Sequence, residues 1–267
     1  MLETLSIPLA VLAYTILSTG LVLMKKGIAW IGHKGRKDRA YRRHQITWFS
    51  GFLLINLSIV PNALALKHLE PHIVSAFAGW GVAVMVFLAY KILGERLFRS
   101  DYWNTFFIVL AIIVLNFFER RDAQETVRVS FFIAAAVFPF ALLLLVFIRN
   151  ASNKVRALLF AATAGMSTGM IIVTVKVMVS LFGFQVSAYF ASPYLYVYLV
   201  FSLAAFGAMQ IAYKMGNLLA VGPVQYAAAI LYPVLCTAVV FSNRLHPVQL
   251  IAFAVIVFAV VSLLRKH

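Results

Sequence analysis

Hydroxyl and amide side chains within apolar stretches are the residues of this sequence best suited to bind a polar solute. Lipid offers such groups no hydrogen-bond partner, so they face protein, water or a bound molecule. Beside glycine they can instead serve only to pack helices closely. The residues predicted to bind a substrate are Ser18, Thr19, Asn62, Ser167, Thr168, Lys176, Gln210, Asn217 and Tyr226.

Lys176 is the one basic residue in this set, and it follows Arg156 by 20 positions. A helix of that length rises about 30 Å, which places Lys176 near the outer membrane interface. There it is either an anchor whose amine extends to water or a charge that lines an outer vestibule.

Catalytic and metal-binding constellations are absent from the sequence. All acidic residues and histidines fall at the ends of apolar stretches or between them, without paired acids, a buried base or a nucleophile elbow. His68 and His72 flank Glu70 at helical spacing, but Pro71 argues against both imidazoles lying on one helical face. The single cysteine, Cys236, excludes an intrachain disulfide. We therefore predict no enzyme activity, no bound metal and no cofactor.

Membrane-spanning helices must position the polar residues. Of the 267 residues, 63% are hydrophobic and 12% are charged, whereas a soluble domain carries roughly twice that charged share. A helix needs about 20 residues to cross the hydrocarbon core. The sequence therefore predicts an all-α polytopic membrane protein with about nine transmembrane helices in a single domain, 1–267. The helices are expected near 5–24, 46–66, 71–93, 102–118, 129–148, 157–176, 194–213, 218–241 and 248–264.

The distribution of basic residues predicts the orientation. Segment 33–44 carries six lysine and arginine residues against one acid, Asp38, and short basic loops face the cytoplasm. The amino terminus is then outside and the carboxyl terminus cytoplasmic. The same segment is expected to contact anionic lipid head groups. The formal net charge of +15 does not indicate nucleic-acid binding, because loops between spans supply it.

Short sequence matches relate the two halves of the chain. The Ser-Thr-Gly sequence of residues 18–20 recurs at 167–169. Pro71 opens the third stretch as Pro223 opens the eighth, and Gly94-Glu95-Arg96-Leu97 is matched in position by Ser242-Asn243-Arg244-Leu245. These matches occur in the same order in both halves.

The matches predict two inverted repeats. Helices 1–4, in residues 5–118, pair with helices 6–9, in residues 157–264, and 129–148 is an extra helix. A shift of five helices is odd, so one copy is inverted in the membrane relative to the other. Inverted repeats are typical of transporters, which expose a site near the membrane midplane to each side in turn. Chance similarity among apolar helices is the alternative explanation.

Several motifs occur in the order in which a known family has them. They are Ser18-Thr19 before Met24-Lys25-Lys26-Gly27, the segment from Trp48 to Asn62, Gly94-Glu95-Arg96-Leu97, Ser167 to Lys176, and Gln210-Ile211-Ala212-Tyr213 with Asn217. On these motifs the chain resembles the NIPA-type magnesium transporters of the drug/metabolite transporter (DMT) superfamily. The resemblance implies a helical transporter that holds its substrate between two inverted repeats. The chain departs from the family at Ile59, three residues before Asn62, where a glutamate is usual.

The leading functional expectation is a transporter that moves a small polar solute by alternating access. Lys25, Lys26 and Lys176, without a buried acid, favour an anionic or zwitterionic cargo such as a lipid-linked head group. Magnesium or another divalent cation is the alternative cargo, although the missing acid at Ile59 argues against it. A non-transporting membrane scaffold subunit is the alternative function, and a homodimer is compatible with either.

Overall fold

A computed structural model describes residues 2–30, 39–66, 77–117, 128–145, 152–182, 186–240 and 246–264 of the chain. All regular elements in these ranges are helical. The segments with His68, Glu70 and His72, with Ser242 to Leu245, and with residues 33–38 lie outside the described residues. The expectations attached to them stay predictions.

Eleven α-helices are present in the described ranges, and each predicted apolar stretch lies largely on one or two of them. They are α1 (Leu2–Gly27, followed by a 3₁₀ turn at Ile28–Trp30), α2 (Arg39–Leu57), α3 (Ile59–Leu66), α4 (Ala78–Leu88, followed by a π-helical turn at Ala89–Leu93), α5 (Arg99–Phe117), α6 (Val129–Leu144), α7 (Asn153–Phe182), α8 (Val186–Ala191), α9 (Pro193–Met215), α10 (Leu218–Val240) and α11 (Pro247–Leu264).

The second predicted stretch, 46–66, forms two helices that meet at Ser58. Pro61 has no backbone N–H to donate to the carbonyl of Leu57, so the regular hydrogen-bond pattern is interrupted there. The Ser58 hydroxyl donates to the carbonyl of Ile55 at 2.6 Å and satisfies a backbone acceptor beside the break. α2 and α3 are therefore separate helices that follow each other directly in the chain.

The described helices include four segments long and apolar enough to cross a membrane: Ser6–Trp30, Asn153–Val175, Pro193–Met215 and Leu218–Val240. Shorter apolar helical segments are Ala78–Leu93, Val129–Leu144 and Pro247–Ala259. Large apolar side chains are widely exposed, for example Trp103 at 59% and Phe258 at 76%. Extensive apolar exposure of this kind suits a lipid environment. The chain is thus an all-α membrane protein, while the number of spans and the orientation stay predictions.

The described helices belong to two packed units. The first comprises Met1–Glu119, Asn217–Pro223 and Pro247–His267, and the second comprises Arg120–Gly216 and Val224–His246. α11 thus packs with the helices of the first half of the chain. The repeat boundaries at 5–118 and 157–264 concern sequence similarity rather than packing, and they stay a prediction.

In the first unit, α1 packs against α2, α3 and α4. It approaches α2 closely at two facing glycines. A methyl group on Gly20 would lie 2.7 Å from the carbonyl oxygen of Gly51, and one on Gly51 would lie 2.5 Å from that of Gly20. Only glycine at both positions allows the two backbones to touch, which is how helices associate in lipid without a hydrophobic driving force between them.

The remaining helices of the first unit are joined by polar contacts. The Nε1 atom of Trp80 in α4 donates to the hydroxyl of Thr15 in α1 at 3.0 Å. α5 packs against both α4 and α11. Between α5 and α11, the Asn104 amide donates to the hydroxyl of Ser262 at 3.1 Å.

In the second unit, α7 is the central helix and packs against α6 and α9. It also approaches α10 through Gly165 and Gly169. A methyl group on Gly165 would collide with the backbone carbonyl of Gln225, and one on Gly169 would lie 2.6 Å from the ring of Pro233. The apolar core of this unit includes the buried side chains of Phe132, Met170, Val173, Phe201 and Tyr232.

Candidate functional site

The two threonines of the Ser-Thr-Gly segments are hydrogen-bonded within their own helices. The Thr19 hydroxyl donates to the carbonyl of Thr15 at 2.8 Å, and the Thr168 hydroxyl donates to that of Ala164 at 2.9 Å. Each partner lies one turn earlier, which is the local bond that threonine commonly makes in a helix. Both hydroxyls retain only their acceptor capacity toward a substrate.

Ser18 joins two helices. Its side chain is fully buried, and its hydroxyl donates to the carbonyl of Gly81 in α4 at 2.7 Å. A methyl group on Gly81 would lie 3.2 Å from the Ser18 oxygen, so the glycine keeps α4 close to α1. Ser18 therefore contributes to helix packing in the first unit, as expected of small polar residues in membranes.

Ser167 differs from its counterpart Ser18. Its side chain is fully buried, and its hydroxyl has no hydrogen-bond partner among the described residues. The same is true of Thr174 in the same helix. Seven positions are close to two helical turns, so Ser167 and Thr174 lie on one face of α7, about 10 Å apart along its axis. Thr174 is absent from the sequence-based set, although its spacing from Ser167 could have indicated it.

Asn62 provides a further buried polar atom in the first unit. Its Oδ1 is buried without a hydrogen-bond partner among the described residues, although the side chain as a whole is half-buried. Ile59, one turn earlier in α3, is 62% exposed. An acid at position 59 would thus project away from the packed helices of the first unit.

A polar cluster in the second unit joins α9 to α10. The hydroxyl of Tyr213, which is fully buried, donates to Oε1 of Gln225 at 3.1 Å. Tyr226 follows Gln225 on α10 and lies near Tyr213. Gln210 lies one turn before Tyr213 and is also buried. Sequence reasoning identified Gln210 and Tyr226 but missed Tyr213 and Gln225, whose pairing depends on the approach of two helices.

Asn217 and Lys176 are the two remaining residues predicted to bind a substrate. Asn217 has an exposed side chain, and its backbone carbonyl accepts from the N–H of Ala220 at 3.2 Å and of Val221 at 2.9 Å. It thus starts α10 through its backbone. Lys176 lies in the last two turns of α7, and its side chain is not among the described atoms.

Glu95 is an acid that sequence reasoning assigned only to the end of a helix. Gly94, with φ of 69°, ends the π-helical turn in the left-handed conformation that favours glycine. The next residue then directs its carboxylate to the start of α10. Oε1 of Glu95 accepts from the N–H of Leu218 at 2.7 Å, and Oε2 accepts from that of Leu219 at 2.8 Å. Glu95 therefore caps α10 in the manner of an N-terminal capping residue.

Lys25 in α1 is half-buried and interacts electrostatically with Glu95. The carboxylate of Glu95 thus lies where three elements of the first unit come together. These are the end of α1, the end of the π-helical turn and the start of α10. This weakens the sequence-based argument that Lys25 attracts an anionic cargo, because an acid within the protein already interacts with its charge. Both oxygens of Glu95 accept from backbone N–H groups, which makes Glu95 a poor metal ligand in this conformation.

The two Ser-Thr-Gly segments do not pack equivalently in their own units. Gly20 contacts α2, the second predicted span, whereas Gly169 contacts α10, the eighth. In the proposed pairing, the eighth span corresponds to the third rather than to the second. Both glycines permit close packing, but the inverted repeat stays a prediction.

Comparisons with known protein families, with curated proteins and with solved structures produced no match. The resemblance to NIPA-type transporters and the DMT superfamily therefore stays a prediction from the motifs.

Proposed function

We propose that this chain is a multi-pass membrane transporter that moves a small polar solute by alternating access, with an anionic or zwitterionic cargo. The proposal includes about nine membrane spans and the inverted repeats expected from the sequence. A transporter needs polar groups that are buried in the apolar bundle and still available to a solute. Ser167 and Thr174 are the described residues that fit this need best.

The observation that carries the proposal is the pair of unsatisfied hydroxyls on α7. A hydroxyl buried without a partner costs about 1–3 kcal/mol, so such groups are rare unless water or a ligand completes them. Neighbouring Thr168 shows that the backbone one turn earlier can satisfy a hydroxyl on this helix. Ser167 and Thr174 do not use that route, which supports a role for their hydroxyls outside the helix itself.

Uptake into vesicles tests the proposal and identifies the cargo at the same time. Purified protein is reconstituted into liposomes, which are incubated with the small-molecule fraction of a cell extract, washed and analysed by mass spectrometry. We expect at least one polar solute to accumulate in vesicles with wild-type protein and not in empty vesicles. Ser167→Leu should abolish this accumulation, because leucine fills the space beside the hydroxyl with apolar atoms.

Thr168→Val is the matched control for Ser167→Leu. It removes a hydroxyl that is bonded to Ala164 on the same helix, so accumulation should stay close to that of the wild type. Accumulation of the same solutes in all vesicles, or in none, would contradict the transporter proposal and favour the scaffold alternative.

A magnesium or divalent-cation transporter is the second candidate, and the buried oxygen of Asn62 favours it. Amide oxygens bind such cations, although sites for them commonly include one or two carboxylates. Ile59 supplies none beside Asn62, and its outward position in α3 makes the missing family glutamate hard to replace there. We therefore rank this candidate below an anionic or zwitterionic solute.

A further inference from the structure

A cleft of about 820 Å³ lies beside the end of α1 and the start of α2. Its lining contains Lys26, Arg39, Arg42, Arg43 and His44, together with Ile46 and Thr47. Five of these seven residues carry basic nitrogen atoms, and no acid lines the cleft in the described part of the chain. The cleft thus concentrates positive charge around a space large enough for a small ligand.

Close packing of the two helices brings these bases together. A methyl group on Gly27 would collide with the backbone N–H of Trp48 and lie 2.5 Å from the carbonyl oxygen of His44. Glycine at the end of α1 therefore lets the second turn of α2 contact it, and Lys26 is held beside the arginines. Without Gly27, Lys26 and the arginines would be farther apart.

The arrangement of the arginines is unfavourable on its own. Arg39 and Arg43 are four residues apart on α2, and Arg42 is three residues from Arg39, so all three charges lie on neighbouring positions of one helical face. Like charges at this spacing repel each other and destabilise the helix. Lys26 adds a fourth positive charge from α1. A bound anion would reduce the repulsion among all four, so the cleft favours an anionic ligand.

The arginines also specify the kind of anion. The planar guanidinium group donates two parallel hydrogen bonds to phosphate oxygens, and it binds phosphate with better geometry than lysine does. Four cations and a histidine exceed what the single charge of a phosphodiester would neutralise. A phosphomonoester, with close to two negative charges near neutral pH, matches the cleft better.

Aromatic residues beside the cleft indicate its depth relative to the membrane. Trp30 contacts Tyr41, Trp48 and Phe49, with ring centroids 6.4, 5.5 and 5.8 Å apart. Clusters of tryptophan and tyrosine are typical of the membrane–water interface, at the level of lipid head groups. The Nε1 donor of Trp30 is buried without a hydrogen-bond partner among the described residues.

We propose that this cleft binds a phosphomonoester, and its interfacial surroundings favour a lipid head group such as that of phosphatidate as the source. The binding site is separate from the polar residues of α7 and α9, and it does not require that the chain transports a solute. It also refines the expectation that segment 33–44 contacts anionic lipids in general, since it names a cleft and a charge state.

Native mass spectrometry of the delipidated full-length chain tests this proposal. Dioleoyl phosphatidate is titrated against the protein, with dioleoyl phosphatidylglycerol as a phosphodiester of lower charge and phosphatidylcholine as a neutral reference. We expect phosphatidate adducts to form at about tenfold lower lipid concentration than either reference, because two arginines can bind its phosphate bidentately.

Paired variants distinguish binding in the cleft from a general attraction of the lipid to the positively charged protein. Arg42→Gln with Arg43→Gln should weaken phosphatidate binding about tenfold, whereas Arg96→Gln with Arg99→Gln removes the same charge from exposed positions outside the cleft and should change it less than about threefold. Arg42→Lys with Arg43→Lys keeps the charge but loses the bidentate geometry, so it should give an intermediate loss.

Competition with glycerol 3-phosphate identifies the source of the ligand. If glycerol 3-phosphate does not displace phosphatidate, the cleft binds the phosphate group as part of a lipid. If it does, the cleft is a site for soluble phosphomonoesters, and the inferred chemistry still holds. Equal binding of phosphatidate and phosphatidylcholine, or equal losses in the two glutamine pairs, would overturn the proposal.

Discussion

The carboxylate of Glu95 binds the backbone N–H groups of Leu218 and Leu219, 123 and 124 positions further along the chain. Both of its oxygens are used, and both donors belong to the first turn of α10. Such a contact supplies a helix with the capping group that its own sequence lacks, since Asn217 leaves its side chain exposed. A residue that ends one helix thus fixes the start of another.

Removal of this cap should destabilise the protein. We expect Glu95→Ala to cost about 1–2 kcal/mol, because two backbone donors lose their acceptor and Lys25 loses its partner charge. Glu95→Gln keeps one acceptor oxygen and should cost less. Apparent melting temperatures of the purified variants in detergent measure the difference. Arg96→Ala, at the exposed neighbouring position, is the control, and a melting temperature for Glu95→Ala as high as for this control would contradict the assignment.

The contact between α1 and α2 should not tolerate a methyl group. Gly20→Ala or Gly51→Ala places a carbon against the facing carbonyl, and overpacking of this kind costs about 1–3 kcal/mol. Gly207 in α9 provides the control, since a methyl group there meets nothing within 4 Å. Gly207→Ala should be neutral or stabilising, because alanine favours a helix over glycine. Thermal unfolding of the three variants measures these differences in stability. Equal melting temperatures for Gly20→Ala, Gly51→Ala and Gly207→Ala would refute the close contact between α1 and α2.

The two ends of α7 should lie on opposite sides of the membrane. In a background with Cys236→Ala, single substitutions Asn153→Cys and Ser187→Cys place thiols at two exposed positions, one at the start of α7 and one in α8. An impermeant thiol reagent applied to intact cells should label position 187 and not position 153. The reverse pattern would invert the predicted orientation, and labelling of both would show that α7 does not span the membrane.

Magnesium should not be the principal cargo. Expression of the chain in a strain without its own magnesium uptake should give no growth at low magnesium, because Ile59 provides no carboxylate beside Asn62. Introduction of a glutamate by Ile59→Glu should not restore growth either, since position 59 is exposed in the first unit. Strong rescue by the wild-type chain that Asn62→Ala abolishes would show that uncharged oxygens suffice for a divalent cation.

The positions of the helices could be predicted from the sequence because the apolar stretches are long and their ends carry charged or turn-forming residues. The ends of α9 and α10 agree with the predicted 194–213 and 218–241 to within two residues. The break at Ser58 was missed, although Pro61 is a visible signal for it. The helix α8, with six residues, is too short for a helical pattern to be recognised in the sequence, and it was not expected.

The hydrogen-bond partner of each polar side chain could not be predicted in the same way. Ser18 and Ser167 have the same neighbours in sequence, yet one hydroxyl bonds to Gly81 and the other has no described partner. The difference depends on which backbone carbonyl faces each serine from another helix. The pairs Glu95 with Leu218 and Tyr213 with Gln225 likewise depend on helix packing, which local sequence patterns do not encode.

The hydrogen bond between Asn104 and Ser262 has a consequence for biogenesis. The two residues are 158 positions apart, and α5 packs against α11 in the same unit. A ribosome adds about 5–20 residues per second, so α5 is synthesised roughly 8–30 seconds before its partner helix. During that interval the insertion machinery or lipid must cover the α11-binding face of α5. The first unit is therefore completed after most of the second unit has been synthesised.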